Sequence, residues 1–398
     1  MFDLTTSESV TSVRGFLAGA VRAGIKSKPE LDLAILYSEV PCTAAGVFTT
    51  NQVKSAPVTL SQRHLSRGRA QAIVANSGCA NACVGKQGLA DALETANLVA
   101  AKLGISPEEV LVASTGVIGV PLSMNCIRAG IERIKLHKDG GHDFAKAIMT
   151  TDTRSKEVTA RVDMRRVKFT IAGVAKGAGM IHPNLATMLC FIATDALANI
   201  NFLQAALKKA VDASFNMLSI DGDTSPSDCV LLLANGLASN DMINLDNGEA
   251  FQEALTEVCI FLAKSIARDG EGATKLIEVT VEGTRDDAEA REAARTIVSS
   301  SLVKTAMYGC DPNWGRIVAA LGRSGAQMAE EKLDVYLNGI RVMEQGHPVP
   351  FSRETVRTSL QSNNVLIKVC LNLGDSKATA FGCDLSPEYV KINSAYTT

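Results

Sequence analysis

The chain has 398 residues, 46% of them hydrophobic and 21% charged, with a net charge of −2. That length supports a sizeable core in two or three lobes, and the balance is that of a soluble globular protein. The charge offers no broad basic field for nucleic acid or an anionic membrane, and no apolar run nears the roughly 18 residues of a membrane helix.

The first residues, MFDLTTSESVTS, lack the basic start and apolar core of a signal peptide, so a cytoplasmic protein is expected. Cys79 and Cys83 are the close pair among ten scattered cysteines. No second pair or histidine cluster completes a zinc site, so reduced thiols and no metal are expected. Leu89, Leu93, Ala96, Ala100 and Leu103 recur at helical spacing, and Gly104 can end that helix. Val110 to Ala113 reads as a buried strand, with Ser114-Thr115-Gly116 in the turn at its end. Leu136–Asp143 is polar and reads as a loop. Val167, Phe169 and Ile171 alternate as a strand. Asn201 is placed to cap a helix carrying Leu203, Leu207, Ala210 and Val211.

Asp221-Gly-Asp223, with Asp228 nearby, has the look of a magnesium site, but aspartate and glycine dominate turns and a turn is expected. Phe251, Leu255, Val258, Leu262 and Ile266 make another helical face, with Gly270 beyond its end. Ile277, Val279 and Val281 alternate with polar residues, as do Val365, Ile367, Val369, Leu371 and Leu373 further on. The polar stretch Gly283–Asp287 marks a candidate boundary between a catalytic lobe, 1–282, and a C-terminal lobe, 283–398. Trp314 is expected to be a packing anchor. Helix and strand periods mix throughout, which gives an α+β class and leaves the topology open.

The richest segment is KGAGMIHPNLATMLCFIATDA, Lys176 to Ala196. A glycine-rich turn leads to Ala186-Thr187, and an apolar run follows. The layout suits a threonine freed as a new N-terminus by self-cleavage. Such a residue carries a nucleophilic hydroxyl and, on the same residue, an α-amine titrating near ~7.7–8.0 that can take its proton. Taken alone, a threonine beside an apolar strand is ordinary packing.

The surrounding motifs decide otherwise. SGCANAC (Ser77–Cys83), STGVIG (Ser114–Gly119), MTTDT (Met149–Thr153), RDGEGATK (Arg268–Lys275), YGCDPNWGRI (Tyr308–Ile317) and KINSAYTT (Lys391–Thr398) accompany the Ala186–Thr187 segment. Together, and in this order over nearly the whole chain, they resemble the self-cleaving ornithine acetyltransferase family, ArgJ.

The resemblance implies a layered sandwich of β-sheets flanked by helices. It implies fragments 1–186 and 187–398 that stay together, as a heterotetramer with two of each. Thr187 becomes the acetylated nucleophile, and Thr115 and Gly116 stabilise the oxyanion. Thr150, Lys176, Thr187, Glu271, Asn393 and Thr398 contact substrate, with the chain's tail folded back onto the site. The threonine assigned at 150 has a neighbour, Thr151, that fits nearly as well. The implied reaction moves acetyl from acetylornithine to glutamate with no bound cofactor; in some members acetyl-CoA is also a donor.

Residue by residue, plainer readings stand beside these. Lys176 reads as a solvated or anion-binding loop lysine, Glu271 as an exposed loop carboxylate, and Asn393 and Thr398 as a frayed end. Two enzymatic rivals remain. One is a self-processing aminopeptidase or amidase of similar fold that passes the acyl group to water. The other is a magnesium phosphotransferase, which the missing GxxxxGK[ST] spacing disfavours.

Overall fold

The computed structural model describes residues 2–164, 167–182 and 188–394. In chain order the strands are β1 (Phe2–Thr5), β2 (Phe16–Val21), β3 (Leu33–Phe48), β4 (Arg69–Cys79) and β5 (Val110–Val117). Then come β6 (Lys156–Met164), β7 (Val167–Lys176), β8 (Leu189–Thr194), β9 (Leu218–Ser219) and β10 (Cys229–Ala234). The remainder are β11 (Leu276–Thr284), β12 (Asp334–Leu337), β13 (Ile340–Glu344), β14 (His347–Pro348), β15 (Asn364–Cys370) and β16 (Ser376–Cys383). A nine-stranded mixed sheet runs β1-β6-β7-β8-β10-β3-β4-β5, with β2 paired to β3. A second sheet runs β14-β13-β12-β15-β11-β16-β9.

The long β3 is the fold line of the first sheet. Its first half, Leu33 to Tyr37, pairs with β4, and its second half, Thr43 to Phe48, pairs with β10. A register irregularity between Tyr37 and Cys42 separates them, as a bulge must where a strand bends. The two halves therefore face each other. Ala34, Leu36, Ile73 and Leu111 from one half share a core with Val174, Phe191 and Leu231 from the other. The residues between these point outward, because side chains alternate along a strand. On one outer face, Ile35, Val74 and Val112 pack under α1 (Ala56–Leu65), α2 (Gly85–Leu103) and α3 (Met124–Arg133). Phe144 of α4 (Gly141–Ala147) fills the inner core edge-on to Phe191, at 5.5 Å. On the other outer face, Ile192, Val230 and Leu232 pack under α5 (Ile200–Ala213) and α6 (Glu249–Arg268). Helix, sheet, sheet and helix make the layered α+β sandwich.

Helix α6 joins the two sheets, touching β6 and β7 of the first and β16 of the second. Phe251, Leu255, Val258, Leu262 and Ile266 are all buried on it. Its single core continues into β11, β15 and α7 (Asp287–Val298). β11 pairs with β15 and β16 along its length, so the chain enters the second sheet at Leu276 and position 282/283 falls inside a strand. Helices α8 (Ser301–Tyr308), α9 (Trp314–Gly322) and α10 (Arg353–Ser359) complete the second layer, and Trp314 packs half-buried against the shared core. α11 (Pro387–Ser394) returns to the first lobe.

Several local expectations shift. α5 is capped by Asn199, whose side chain accepts from Asn201 N–H, so Asn201 lies inside the helix. α2 ends at Gly104, at φ 70°. It buries Ala92, Thr95, Ala96 and Val99 while Leu89 and Leu93 stay half-buried, so small residues set its close seat. Cys79 ends β4, and the exposed Cys83 lies in the bend just before α2. β15 stops at Cys370, and Asn372 turns the chain at φ 54°.

Candidate active site

β5 does not stop at Ala113. It stays in register with β4 through Val117, placing Thr115 opposite Ser77 and Gly116 opposite Gly78. Ser114, Thr115 and Gly116 are thus strand residues and not a turn. Gly116 has φ 130°, and a Cβ there would lie 2.4 Å from the Gly78 carbonyl carbon. Backbone approach and dihedral both require glycine.

β7 ends at Lys176, which is 2% exposed. Its Nζ donates to Thr115 Oγ1 at 3.4 Å, bringing together two expected site residues from strands 61 residues apart. Burial pulls the lysine's pKa down; Asp152 opposes that, Lys156 adds to it, and Asp228 and Glu271 oppose it.

Beside this pair lies a buried ionic cluster that sequence reasoning missed. Lys156 Nζ donates to Asp152 Oδ1 and to Asp269 Oδ2, both at 2.6 Å, and all three side chains are at most 3% exposed. Asp152 also accepts Gly177 N–H at 2.7 Å and Thr150 N–H at 3.0 Å. Burial pushes the Asp152 carboxyl up, but Lys176, Lys156 and these hydrogen bonds outweigh it and hold it at about 2. Asp269 accepts from the Thr153 hydroxyl and from Thr153 N–H. The cluster fixes the 150–153 turn against the end of α6. Asp152 and Asp269 stand in the MTTDT and RDGEGATK motifs and Lys156 follows Asp152 by four residues, but Asp269 is 113 residues from its lysine, so no local pattern joins the three.

Glu271 follows the end of α6 after Asp269 and Gly270. Its N–H donates to Ala178 C=O at 2.8 Å, and its carboxylate lies over Gly179, where a Cβ would come within 2.5 Å of it. The glycine-rich turn is therefore glycine-rich in part to seat this carboxylate. Asn393 on α11 donates to Glu271 Oε2 at 2.8 Å. Ser386 Oγ donates to Gly272 C=O at 2.6 Å, docking the start of the same helix. Asp221 accepts Met180 N–H and Ile181 N–H at 2.6 and 2.8 Å, and burial raises its carboxyl pKa against those bonds. Asp221 thus ties its own segment to the glycine-rich stretch before it. Among the described residues no cluster of three or more histidines, cysteines or acids is placed to hold a metal, and no helix is long and apolar enough to cross a membrane.

A cavity of about 930 Å³ opens onto these elements, lined among others by Lys26, Gly116, Thr150, Thr151 and Glu271. Both candidate threonines at 150 and 151 face it. Thr115 and Lys176 are buried and do not line it, so a plain solvated lysine is not what 176 is. Ala186, Thr187 and Thr398 lie outside the described residues. The neighbour of Thr187, Met188, is buried, and its N–H donates to Asp228 Oδ1 at 2.9 Å. Asp228 is itself buried, which drives its carboxyl pKa well up.

The comparisons agree with the motif set. Residues 17–398 match the family model described as the ArgJ family. An arginine biosynthesis bifunctional protein ArgJ from Dehalococcoides mccartyi is 53% identical, covering 100% of this chain and 99% of its own. A protein of the same description from Symbiobacterium thermophilum is 51% identical over 98% of each. A crystal structure of arginine biosynthesis bifunctional protein ArgJ from Bacillus halodurans is 44% identical with a TM-score of 0.51. It covers 52% of this chain and 98% of that one. Matched by the family model over almost its whole length and half-identical to full-length members, this chain belongs to the ArgJ family.

Proposed function

We propose that this chain transfers the acetyl group of N2-acetyl-L-ornithine to L-glutamate, releasing L-ornithine and N-acetyl-L-glutamate. The observation that carries the reading is the 930 Å³ cavity, on which Gly116, Thr150 and Glu271 converge from three separate parts of the chain.

The chain first cuts itself. Thr187 Oγ attacks the Ala186 carbonyl, and the acyl group shifts from nitrogen to oxygen, which frees the Thr187 amine; water then hydrolyses the ester, releasing the Ala186 carboxylate and restoring the Thr187 hydroxyl. In transfer, the same hydroxyl attacks the acetyl carbon of acetylornithine while the α-amine takes its proton. The amine of ornithine leaves with a proton, and an acetyl ester remains on Thr187. The glutamate amine then attacks that ester, so one amide exchange becomes two easier steps. The Gly116 N–H and the Thr115 hydroxyl, polarised by the adjoining Lys176 amine, serve the oxyanion. Glu271, oriented by Asn393, and Thr150 bind substrate, joined by Thr398 from the tail.

No bound cofactor enters this scheme; acetyl-CoA is proposed only as a second acetyl donor. The fragments 1–186 and 187–398 remain together as two copies of each, in the cytoplasm. Cleavage is supported by the Bacillus halodurans chain, which is matched along 98% of itself over just 52% of this chain. A fragment cut at Ala186–Thr187 spans about that share.

The test is a product balance with acetylornithine and glutamate, run beside acetyl-CoA with glutamate. N-acetylglutamate formed in step with ornithine supports the transferase. Free acetate in place of N-acetylglutamate overturns it in favour of an amidase. Parallel lines in double-reciprocal plots support the acetyl-threonine relay, and intersecting lines overturn it.

A further inference from the structure

Acetylornithine and glutamate share an α-carboxylate, and a carboxylate bound inside a cavity needs a fixed cation. Of the residues already placed in substrate binding, Thr150, Glu271 and Asn393 are not cations, and Lys176 is buried behind the cavity wall. The loop joining β2 to β3 supplies another lysine. Lys26 lines the cavity with a side chain only 10% exposed.

The loop is built to hold it. Asp32 is fully buried, and its carboxylate accepts the N–H groups of Ala23, Gly24, Ile25 and Lys26 at 2.6 to 3.0 Å. Asp32 C=O also accepts Ser77 N–H at 2.9 Å, which docks the loop on β4. The Lys26 stem lies against Gly78, where a Cβ would come within 3.1 Å of Lys26 Cγ. Gly78 is the register partner of Gly116. The lysine is thus packed on the strand pair that carries the oxyanion donors. Its Nζ donates to Leu31 C=O at 3.2 Å and pairs with the half-exposed Glu30 at 3.5 Å. An ammonium has three protons, so one remains for the cavity. The two other lysines lining the cavity are held less closely: Lys28 is exposed, and Lys146 is 60% exposed and paired with Asp143.

The geometry points to Lys26 as the group that binds the α-carboxylate common to donor and acceptor. This rests on the function proposed above. Lys26 is a specificity residue: it selects α-amino acids with a free carboxylate and sets their orientation against Gly116.

The experiment compares acetylornithine with its α-carboxamide as donors, using the complete, self-processed enzyme. The wild type should prefer the carboxylate by about tenfold to a hundredfold in kcat/KM, the range of a charge-assisted hydrogen bond. Lys26→Met should raise KM for acetylornithine by a similar factor, leave kcat within about threefold, and reduce the preference to near unity. Lys26→Arg should recover part of it. A Lys26→Met enzyme that keeps the full wild-type preference overturns the inference, and so does a wild type with no preference. A wild type that moves no acetyl from acetylornithine to glutamate overturns the function proposed above, and is seen before any variant is made. If Lys26→Met fails to fold, Lys26→Gln and Lys26→Arg carry the same comparison.

Discussion

Lys156→Met tests the buried ionic cluster. The side chain keeps its length and loses its charge, leaving Asp152 and Asp269 without their common 2.6 Å partner. Removing one member of a buried ion pair costs about 3–5 kcal/mol, because the remaining charge is neither solvated nor paired. Against a typical total of about 5–15 kcal/mol that is a large loss. Its pH dependence separates charge from packing. The Asp152 carboxyl lies at about 2 in the folded protein against an ordinary 3.8. A folded value below the unfolded one means stability present above pH ~3.8 and lost as pH falls toward ~2. The shift corresponds to about 2 kcal/mol at pH 7, of which about half survives at pH 3. The variant leaves Asp152 with Lys176 and the Thr150 and Gly177 N–H groups against burial, so it lacks the part of this stabilisation that Lys156 supplies. Thermal unfolding of both proteins at pH 7 and pH 3 is the assay. The melting gap should be several degrees at pH 7 and clearly narrower at pH 3. A gap of equal size at both values would mean that Lys156 acts through packing, and no gap at pH 7 would refute the cluster as a stabilising element.

Other expectations follow from single contacts. Thr187→Ala should leave an intact, inactive chain on a denaturing gel, since in the proposed mechanism one hydroxyl serves cutting and transfer; an active uncut protein would contradict this. Mass spectrometry after acetylornithine alone should find one acetyl group on the fragment starting at Thr187. Gly116→Ala drives a Cβ to 2.4 Å from Gly78 in a φ region that alanine avoids, so both cutting and transfer should fall well below wild type; normal rates would place the oxyanion elsewhere. Asn393→Ala removes a 2.8 Å bond to Glu271 and should lower kcat/KM about tenfold, the lower end for a bond to a charged group at an exposed site, while self-cleavage proceeds normally.

Period and burial made the interior elements readable. The α6 stripe and the alternation of β11 carry their own phase, because one face of each is fully buried. Phase alone misleads where small residues do the packing. In α2 the stripe read from sequence holds Ala96 and Ala100, which are buried, but its leucines stay half-buried while Ala92, Thr95 and Val99 beside them are buried. Ends were less readable for a related reason. A helix begins where a side chain can reach a free N–H, and Asn199 and Asn201 are equally suited by type; only the backbone path chooses Asn199. The bend within β3 that turns its second half onto β10, and the parallel pairing of β10 with β8, rest on long-range partners that no local pattern encodes.

The site followed the same division. Its glycines were visible as motifs, but their reasons lie in residues far along the chain: Gly116 meets Gly78, and Gly179 meets Glu271. The candidate groups share one placement. Gly78 and Gly116 lie near the carboxyl ends of parallel strands, Lys176 is the last residue of β7, and Glu271 follows the end of α6. Each is carried by a rigid buried element and stands where that element's regular hydrogen bonding runs out, which is where mixed sheets with helical layers leave room for a ligand. The buried cations and carboxylates between those ends then serve position more than contact. Lys156 ties the 150–153 turn to Asp269, and Asp32 ties the Lys26 loop to β4, so two walls of the cavity are fixed by buried charges, of which Lys156 and Asp32 do not line it. Lys156 and Asp32 stand in none of the motifs, because what they need is a partner at the right distance and no particular neighbour in sequence.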